Sequence, residues 1–310
     1  MVASSSDHKP VRNILLAADL SARGDRALAR AVAIATERQA HLTVLHVFEE
    51  FNESSLTYDR NLQPTWRAPP DAMSIAKLRI REGLEAELGD VVEQATILIE
   101  EGEPAEVIER VSAAAGIDLI VTGIAREGPF ASRPVILGRT VERLLRRVSV
   151  PILIVRNRPR APYRHILVTT DFSDPSAYAL QVALSVFTDQ PLHLLHAFEI
   201  PRSGGLADLQ QHVESFRQTH EIDLHQFLGS MVLPEEARRR LVPHVELGHP
   251  AQLVREYVRD RGADLVVLGT RGRGLMMEAL LGSTAKSILS SLPCDALVVR
   301  APDGRPPREI

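Results

Sequence analysis

The stretch Ala263-Asp-Leu-Val-Val-Leu-Gly269-Thr-Arg-Gly272-Arg-Gly-Leu-Met-Met-Glu-Ala-Leu-Leu-Gly282-Ser283 decides how the chain is read. Ala263 to Leu268 is a short apolar run without polar alternation, the signature of a strand buried on both faces. Thr284 to Ser291 has helical spacing. Two small-residue turns therefore sit between a strand end and a helix start. Glycine lets backbone N–H groups come close to a ligand, and a helix N-terminus attracts anions through its unpaired N–H groups and dipole. Ser283 and Thr284 add hydroxyls there, so the stretch reads as a phosphate cradle.

Working outward, strands and helices alternate. Asn13 to Ala18 and His41 to Phe48 read as strands separated by an Ala-rich helix, Ala27 to Glu37. Residues 49–70 form a polar, Pro-containing connection. Asp71 to Leu88 reads as a helix with Ile75, Leu78, Leu84 and Leu88 facing inward. Ala95 to Glu100 is a third strand, and Gly102-Glu103-Pro104 opens a helix to Ala115. Ile117 to Thr122, a helix over Val141 to Arg147, and Pro151 to Val155 complete the set. After Asn157-Arg-Pro-Arg-Ala-Pro162 the pattern restarts. Asp19-Leu-Ser21 matches Asp171-Phe-Ser173, and Leu45-His-Val-Phe-Glu49 matches Leu195-His-Ala-Phe-Glu199. Gly102-Glu-Pro104 matches Gly248-His-Pro250, Ile117 to Gly123 matches Ala263 to Gly269, and Ile152 to Arg156 matches Ala296 to Arg300. A whole domain has been duplicated, with domains expected over 1–158 and 159–310. Alternating, uniformly apolar strands predict α/β architecture: two doubly wound parallel sheets covered by helices on both faces. With strand order 3-2-1-4-5 in each, the C-terminal ends of strands 1 and 4 flank the point where the order reverses. Asp171 and Gly269 are then expected to face one crevice.

Composition narrows the function classes. The 310 residues suit two domains, and 45% hydrophobic with 25% charged residues is ordinary for a globular chain. A net charge of −4 and 4% aromatics argue against nucleic acid as a partner. No run approaches the ~18 apolar residues of a membrane span, and Met1 to Pro10 lacks the apolar core of a signal peptide. The single cysteine, Cys294, fits a reducing compartment, so cytoplasm is the expected location.

The spacing Gly269-x2-Gly272-x9-Gly282-Ser283, with Val168-Thr-Thr-Asp171-Phe-Ser173, resembles the ATP-binding branch of the universal stress protein family. The resemblance covers roughly residues 12–156 and 164–301, as a tandem member. It implies a five-stranded parallel sheet per domain, and domains that pair through their last strands, so that one chain forms an internal pseudo-dimer; a homodimer is the further option. It implies ATP as ligand, with Mg²⁺ as an optional companion. Asp171 would lie by the nucleotide with Thr169 and Thr170 beside it, and Ala197 would line the adenine pocket. Leu268 would lie under the base, and Gly269, Gly272, Gly282, Ser283 and Thr284 would hold ribose and phosphates. The first domain departs from the pattern. Arg126 stands at the second Gly position and Arg139 at the hydroxyl position, and the segment from Gly123 to Gly138 is two residues longer. That half is expected to bind ATP poorly or not at all.

Other constellations are weaker. No Gly-x4-Gly-Lys-Ser/Thr loop occurs, and Gly272-x-Gly274 lacks the third glycine of a dinucleotide fingerprint. Asp171 reads either as a residue that coordinates a nucleotide-bound Mg²⁺ or hydrogen-bonds the nucleoside, or as a helix-entry residue beside the N-cap candidate Ser173. Arg271 and Arg273 read equally as phosphate contacts or solvated loop charges. His46 and His196, inside apolar runs, read as satisfied core histidines. His212, His220 and His225 read as a solvated helix face, Arg238 to Arg240 as a helix face, and Cys294 as an inert buried thiol. No residue takes a catalytic role, so a nucleotide-dependent regulator with slow hydrolysis at most is expected. A nucleotide-independent interaction protein is the alternative, and a true ATPase a more remote one.

Overall fold

The apolar runs assemble into a sheet that passes through both halves of the chain. The computed structural model describes residues 11–19, 24–48, 72–88, 93, 95–124, 138–200, 206–270 and 281–302. The first half runs β1 (Asn13–Ala18), α1 (Gly24–Arg38), β2 (His41–Phe48), α2 (Ala72–Leu88), β3 (Ala95–Glu101), α3 (Pro104–Ala114), β4 (Leu119–Gly123), α4 (Arg139–Arg147) and β5 (Ile152–Val155). The second runs β6 (Ile166–Thr170), α5 (Asp174–Val186), β7 (Leu192–Phe198), α6 (Leu206–Gly229), α7 (Glu235–Arg239), β8 (Leu241–Leu247), α8 (Pro250–Arg261), β9 (Leu265–Gly269), α9 (Ser283–Ser291) and β10 (Asp295–Val299).

Among the described residues the strands form a ten-stranded sheet in the order β3-β2-β1-β4-β5-β10-β9-β6-β7-β8. Each half is parallel with order 3-2-1-4-5, and the halves join where β5 pairs antiparallel with β10 (Ala296 opposite Ile154, Leu297 opposite Leu153, Val298 opposite Ile152). Two apolar cores lie on the two faces. One holds Ala27 and Ala31 of α1, Leu84 of α2, Ala179 and Ala183 of α5 and Leu224 of α6. The other holds Val107 and Ile108 of α3, Leu144 of α4, Val254 of α8 and Ile288 of α9. Both cores contain strand residues of both halves, so hydrophobic burial crosses the junction instead of stopping at it.

The repeat is visible in local geometry. Gly102 and Gly248 have φ of +141° and +146°, and a Cβ there would stand 3.1 Å from Val107 and 3.3 Å from Leu253. Both turn the chain off the strand end into a helix that starts with proline. Three sequence expectations need correction. Leu78 is 56% exposed, while Leu84 and Leu88 are buried and Ile80 packs against the core, so α2 turns a different stripe inward. The run Arg238 to Arg240 is not an idle helix face. Arg238 donates to the carbonyls of Leu228 and Met231, and Arg240 to those of Phe187, Gln190 and Leu184, so they close the C-terminal ends of α6 and α5. His220 is half-buried and packs inward, as described below.

Beneath the junction lies a buried charged network. Asp295 is 1% exposed and accepts from the backbone N–H groups of Arg156 and Asn157 at 2.8 and 3.0 Å, and from the Tyr163 hydroxyl at 2.6 Å. Arg30, from α1 of the other half, lies 3.6 Å from the carboxylate, with its guanidinium 4.0 Å over the Tyr163 ring. Burial, with the Asp295 charge next, holds the Tyr163 phenol well above its usual pKa, so it remains a donor. Cys294 beside it is buried, and desolvation pushes its thiol up to about 12, as an inert cysteine requires.

A second cluster spans the outer strands. His165 and His193 have ring centroids 4.5 Å apart, and His193 Nδ1 lies 3.1 Å from His244 Nε2. Tyr257 of α8 covers them, its hydroxyl 3.1 Å from His165 Nε2. Burial comes first in lowering the pKa of His193, followed by His165, His244 and Arg261; burial also leads for His244.

Two predictions follow from these clusters. Asp295→Ala orphans Arg30, Tyr163 and two backbone donors, and is expected to cost about 3–5 kcal/mol in urea unfolding; a loss under about 1 kcal/mol would show the network to be dispensable. For the histidines, a folded pKa below the ordinary 6.5 means that the unfolded chain binds more protons. Their stabilisation is complete above pH 6.5 and is lost as pH falls through the lowered values. The melting temperature should drop on acidification below that point, and the drop should be shallower in His244→Gln.

Candidate functional site

At the point where the second half reverses its strand order, β6 and β9 separate. They pair at Ile166 with Leu265, Leu167 with Val266, and Val168 with Val267, and the ladder ends there. In the first half the matched strands pair one residue further, to Ala17 with Thr122. By the repeat, Ala17 corresponds to Thr169 and Thr122 to Leu268. The Thr169 hydroxyl instead donates to the Val267 carbonyl at 3.4 Å. In the second half the ladder thus ends one residue earlier, with a side-chain bond where the first half continues it.

Of the residues singled out by sequence, Thr169 and Thr170 end β6 with Asp171 next in the chain, and Leu268 and Gly269 end the adjacent β9. Gly282 is the N-cap of α9, and Ser283 and Thr284 are its first two residues, both exposed. The Gly282 N–H donates to the Thr270 carbonyl at 2.9 Å, and the Thr270 N–H donates to the Val299 carbonyl at 3.0 Å. The mouth of the glycine segment is therefore pinned to the sheet, which sets the N-terminus of α9 beside the end of β9. Among the described residues no side chain caps α9, and a helix N-terminus of this kind suits an anion. The Thr270 hydroxyl is 3% exposed and has no partner among the described residues. Gly272, Arg271 and Arg273 lie outside the described residues, as does Arg126. Arg139 opens α4, the counterpart of α9.

Ala197 lies on β7 opposite Glu246 of β8, half-buried. Leu268 is 1% exposed within the core beneath α8 and α9. Asp171 serves the start of α5: its Oδ1 accepts from the Ser173 N–H at 3.1 Å and hydroxyl at 2.5 Å, and Ser173 in turn caps the Ser176 N–H. The helix-entry role is thus real. Asp19 is placed alike in the first half, where a Cβ on Gly24 would stand 2.7 Å from its Oδ1.

Sequence reasoning missed part of this neighbourhood. Phe172 has φ of +65°, a left-handed conformation uncommon for an aromatic residue. Its ring stacks on His196 at 4.0 Å. His196 is 7% exposed with Nδ1 2.9 Å from the Thr170 carbonyl, just as His46 Nδ1 lies 2.8 Å from the Ala18 carbonyl, so both are satisfied histidines as expected. The inward contact of His220 with His196 was not legible. Among the described residues no group of three or more His, Cys, Asp or Glu side chains is arranged to hold a metal ion. No helix there is long and apolar enough to cross a membrane.

The pattern of the Universal stress protein family matches the chain twice, over residues 10–156 and 162–300. Universal stress protein E homolog of Haemophilus influenzae is 25% identical over 308 residues, spanning 93% of this chain and 97% of its own length. Universal stress protein E of Salmonella typhi is 25% identical over 183 residues, 54% of this chain and 56% of that protein. Among solved structures, a universal stress protein from Archaeoglobus fulgidus superposes with a TM-score of 0.61 at 19% identity, covering 94% of this chain and 98% of that one. The protein PA1789 of Pseudomonas aeruginosa gives 0.60 at 21% identity, covering 94% and 92%. The family pattern covers both halves, and the chain belongs to the universal stress protein family, with the family's domain present twice.

Proposed function

We propose that the chain binds ATP at one site, in the second domain, and acts as a nucleotide-dependent regulator with little or slow hydrolysis. The observation that carries the reading is the pinned mouth of the glycine segment. The bond from Gly282 to Thr270 sets exposed Ser283 and Thr284, on a helix N-terminus with no capping side chain among the described residues, beside the ends of β6 and β9. The donor set suits phosphate: backbone N–H groups, two hydroxyls, and the orphaned Thr270 hydroxyl close by. In this reading Gly269, Gly272, Gly282, Ser283 and Thr284 hold ribose and phosphates, Leu268 lies under the base, and Ala197 lines the adenine pocket. Thr169, Thr170 and Asp171 form the facing wall. Asp171 is a carboxylate near a polyphosphate, so it would act through Mg²⁺ carried by the nucleotide or through a contact to the nucleoside away from the phosphates.

The first domain is proposed as the non-binding partner. Arg139 begins α4 where the cradle needs a hydroxyl, and Arg126 replaces the second glycine. Domain boundaries at 1–158 and 159–310 and a cytoplasmic location belong to the same reading. So does a single chain acting as its own dimer through β5 and β10, with association of whole chains left to solution measurement. Regulation requires that ATP favour one conformation over another.

Purified protein, once denatured, should release adenine nucleotide, and calorimetry on the stripped chain should show one ATP per chain. Neither release nor binding would favour a nucleotide-independent interaction protein. Ser283→Asp and Gly272→Glu each place negative charge against phosphate and are expected to weaken ATP binding by about 1–3 kcal/mol or more. Arg126→Glu should leave affinity unchanged. Unaltered binding in Ser283→Asp would remove the cradle assignment, and a large effect at Arg126 would assign a second site.

A further inference from the structure

The turn that carries Asp171 is gripped from the α6 side of the sheet by a row of side chains. Phe172 sits in the left-handed region, where an aromatic residue persists only if its surroundings hold it. Three contacts hold it. Its N–H donates to the Thr170 hydroxyl at 3.0 Å, its ring stacks on His196 at 4.0 Å, and Phe227 of α6 packs at 5.5 Å. The Thr170 hydroxyl is fixed in its turn by Ser176, 3.0 Å away.

The hydrogen bonds assign the protons along the row. A carbonyl only accepts, so the contact of His196 Nδ1 with the Thr170 oxygen requires Nδ1–H. In the neutral ring Nε2 is then the acceptor. His220 Nδ1 lies 3.2 Å from it and must be the donor. The direction runs from His220, on α6, through His196 to the last carbonyl of β6. The His220 ring is stacked on Phe198 at 4.7 Å, and its Nδ1 is also 3.9 Å from Asp223, one turn along the same helix. Among the described residues of the first half, His46 meets the Ala18 carbonyl and its ring stands edge-on to Phe48. Leu20 occupies the sequence position of Phe172.

We infer that Phe172, His196 and His220 are positioning residues: they fix the conformation of the Asp171 turn from beneath the sheet and make α6 part of the nucleotide site. The link to nucleotide rests on the ATP reading above; the positioning of the turn does not. The row occurs in the half whose ladder ends one residue earlier, and it braces that strand end. Movement of α6 and order in the Asp171 turn are therefore one event.

The test uses the full chain and two readouts. In nucleotide-free protein, amide exchange at Phe172 and Ser173 is compared in wild type, His220→Ala, His196→Leu and His196→Asn. The asparagine amide can take over the Nδ1–H bond to Thr170. Exchange is expected to quicken in His196→Leu and His220→Ala and to return toward wild type in His196→Asn. ATP affinity should fall roughly three- to tenfold in the first two variants. Nitrogen chemical shifts should report Nδ1–H in both rings. Should His196→Leu not fold, His220→Ala, at a half-buried helix position, decides alone. Unchanged exchange in the folded variants, or an Nε2–H tautomer at His196, overturns the inference whether or not nucleotide binds. Wild-type protein that binds no ATP sinks the ATP reading, while quickened exchange would still support the positioning of the turn.

Discussion

The pairing of β5 with β10 is the constraint on which the rest of the structure depends. A five-stranded parallel sheet ends in two edges, and an apolar edge strand left open is a template for pairing with another chain. Ile152 to Val155 and Asp295 to Val299 are buried throughout, so neither strand could stand at a solvent edge. Their antiparallel pairing covers both and lets two apolar cores run unbroken across the junction. Burial then forces the polar groups at the start of β10 to be satisfied internally. Asp295 collects its donors from the linker and from Tyr163, pairs by charge with Arg30 of the first half, and so fixes the path by which the chain leaves one domain and enters the next.

With the two domains locked in one sheet, their strand ends were free to diverge. The main β-sheet is built alike in both halves, down to the positive-φ glycines that open α3 and α8. The difference is concentrated at the reversal point. The ladder continues through Ala17 and Thr122 in the first half, while in the second it ends at Val168 and Val267, where the Thr169 hydroxyl donates to the Val267 carbonyl. A ladder that ends earlier holds its strand end less. The second half supplies a replacement in the contacts of Thr170, Phe172 and His196. Local order at the site is thus transferred from the sheet to side chains, where a helix on the opposite face can influence it.

Periodicity and repetition carried most of the fold. Uniformly apolar strands between helices are what a doubly wound sheet requires, and the paired anchors placed each strand in its domain. The glycine spacing and the residues at the ends of β6 and β9 were legible because turns and helix starts demand particular residue types. What remained hidden depends on contacts between distant segments. Nothing local distinguishes Phe172 from any apolar residue after a strand, since its left-handed backbone is imposed by His196 and Phe227. His220 has the spacing of a solvated face yet turns inward because β7 offers a ring nitrogen acceptor. Arg240 looks like surface charge until α5 ends within its reach. On α2, Leu78 fits a helical stripe, but the interior is filled by Leu84 and Leu88, and an apolar residue gains nothing from a face that has no partner.

Helix α9 joins these themes. It has nine residues, too few to be stable alone, and among the described residues no side chain caps its first turn. Packing of Ala285, Ile288 and Leu289 holds its inner face, which leaves the two ends as its adjustable parts. At its C-terminal end, the Arg156 guanidinium donates to the Leu292 carbonyl and the Asn157 amide donates to the Pro293 carbonyl at 3.0 Å, so that end belongs to the linker between the domains. Its N-terminal end, with no capping side chain among the described residues, is where the ATP reading proposed above would seat a phosphate group. The helix that would receive it is therefore also the element in contact with the seam between domains.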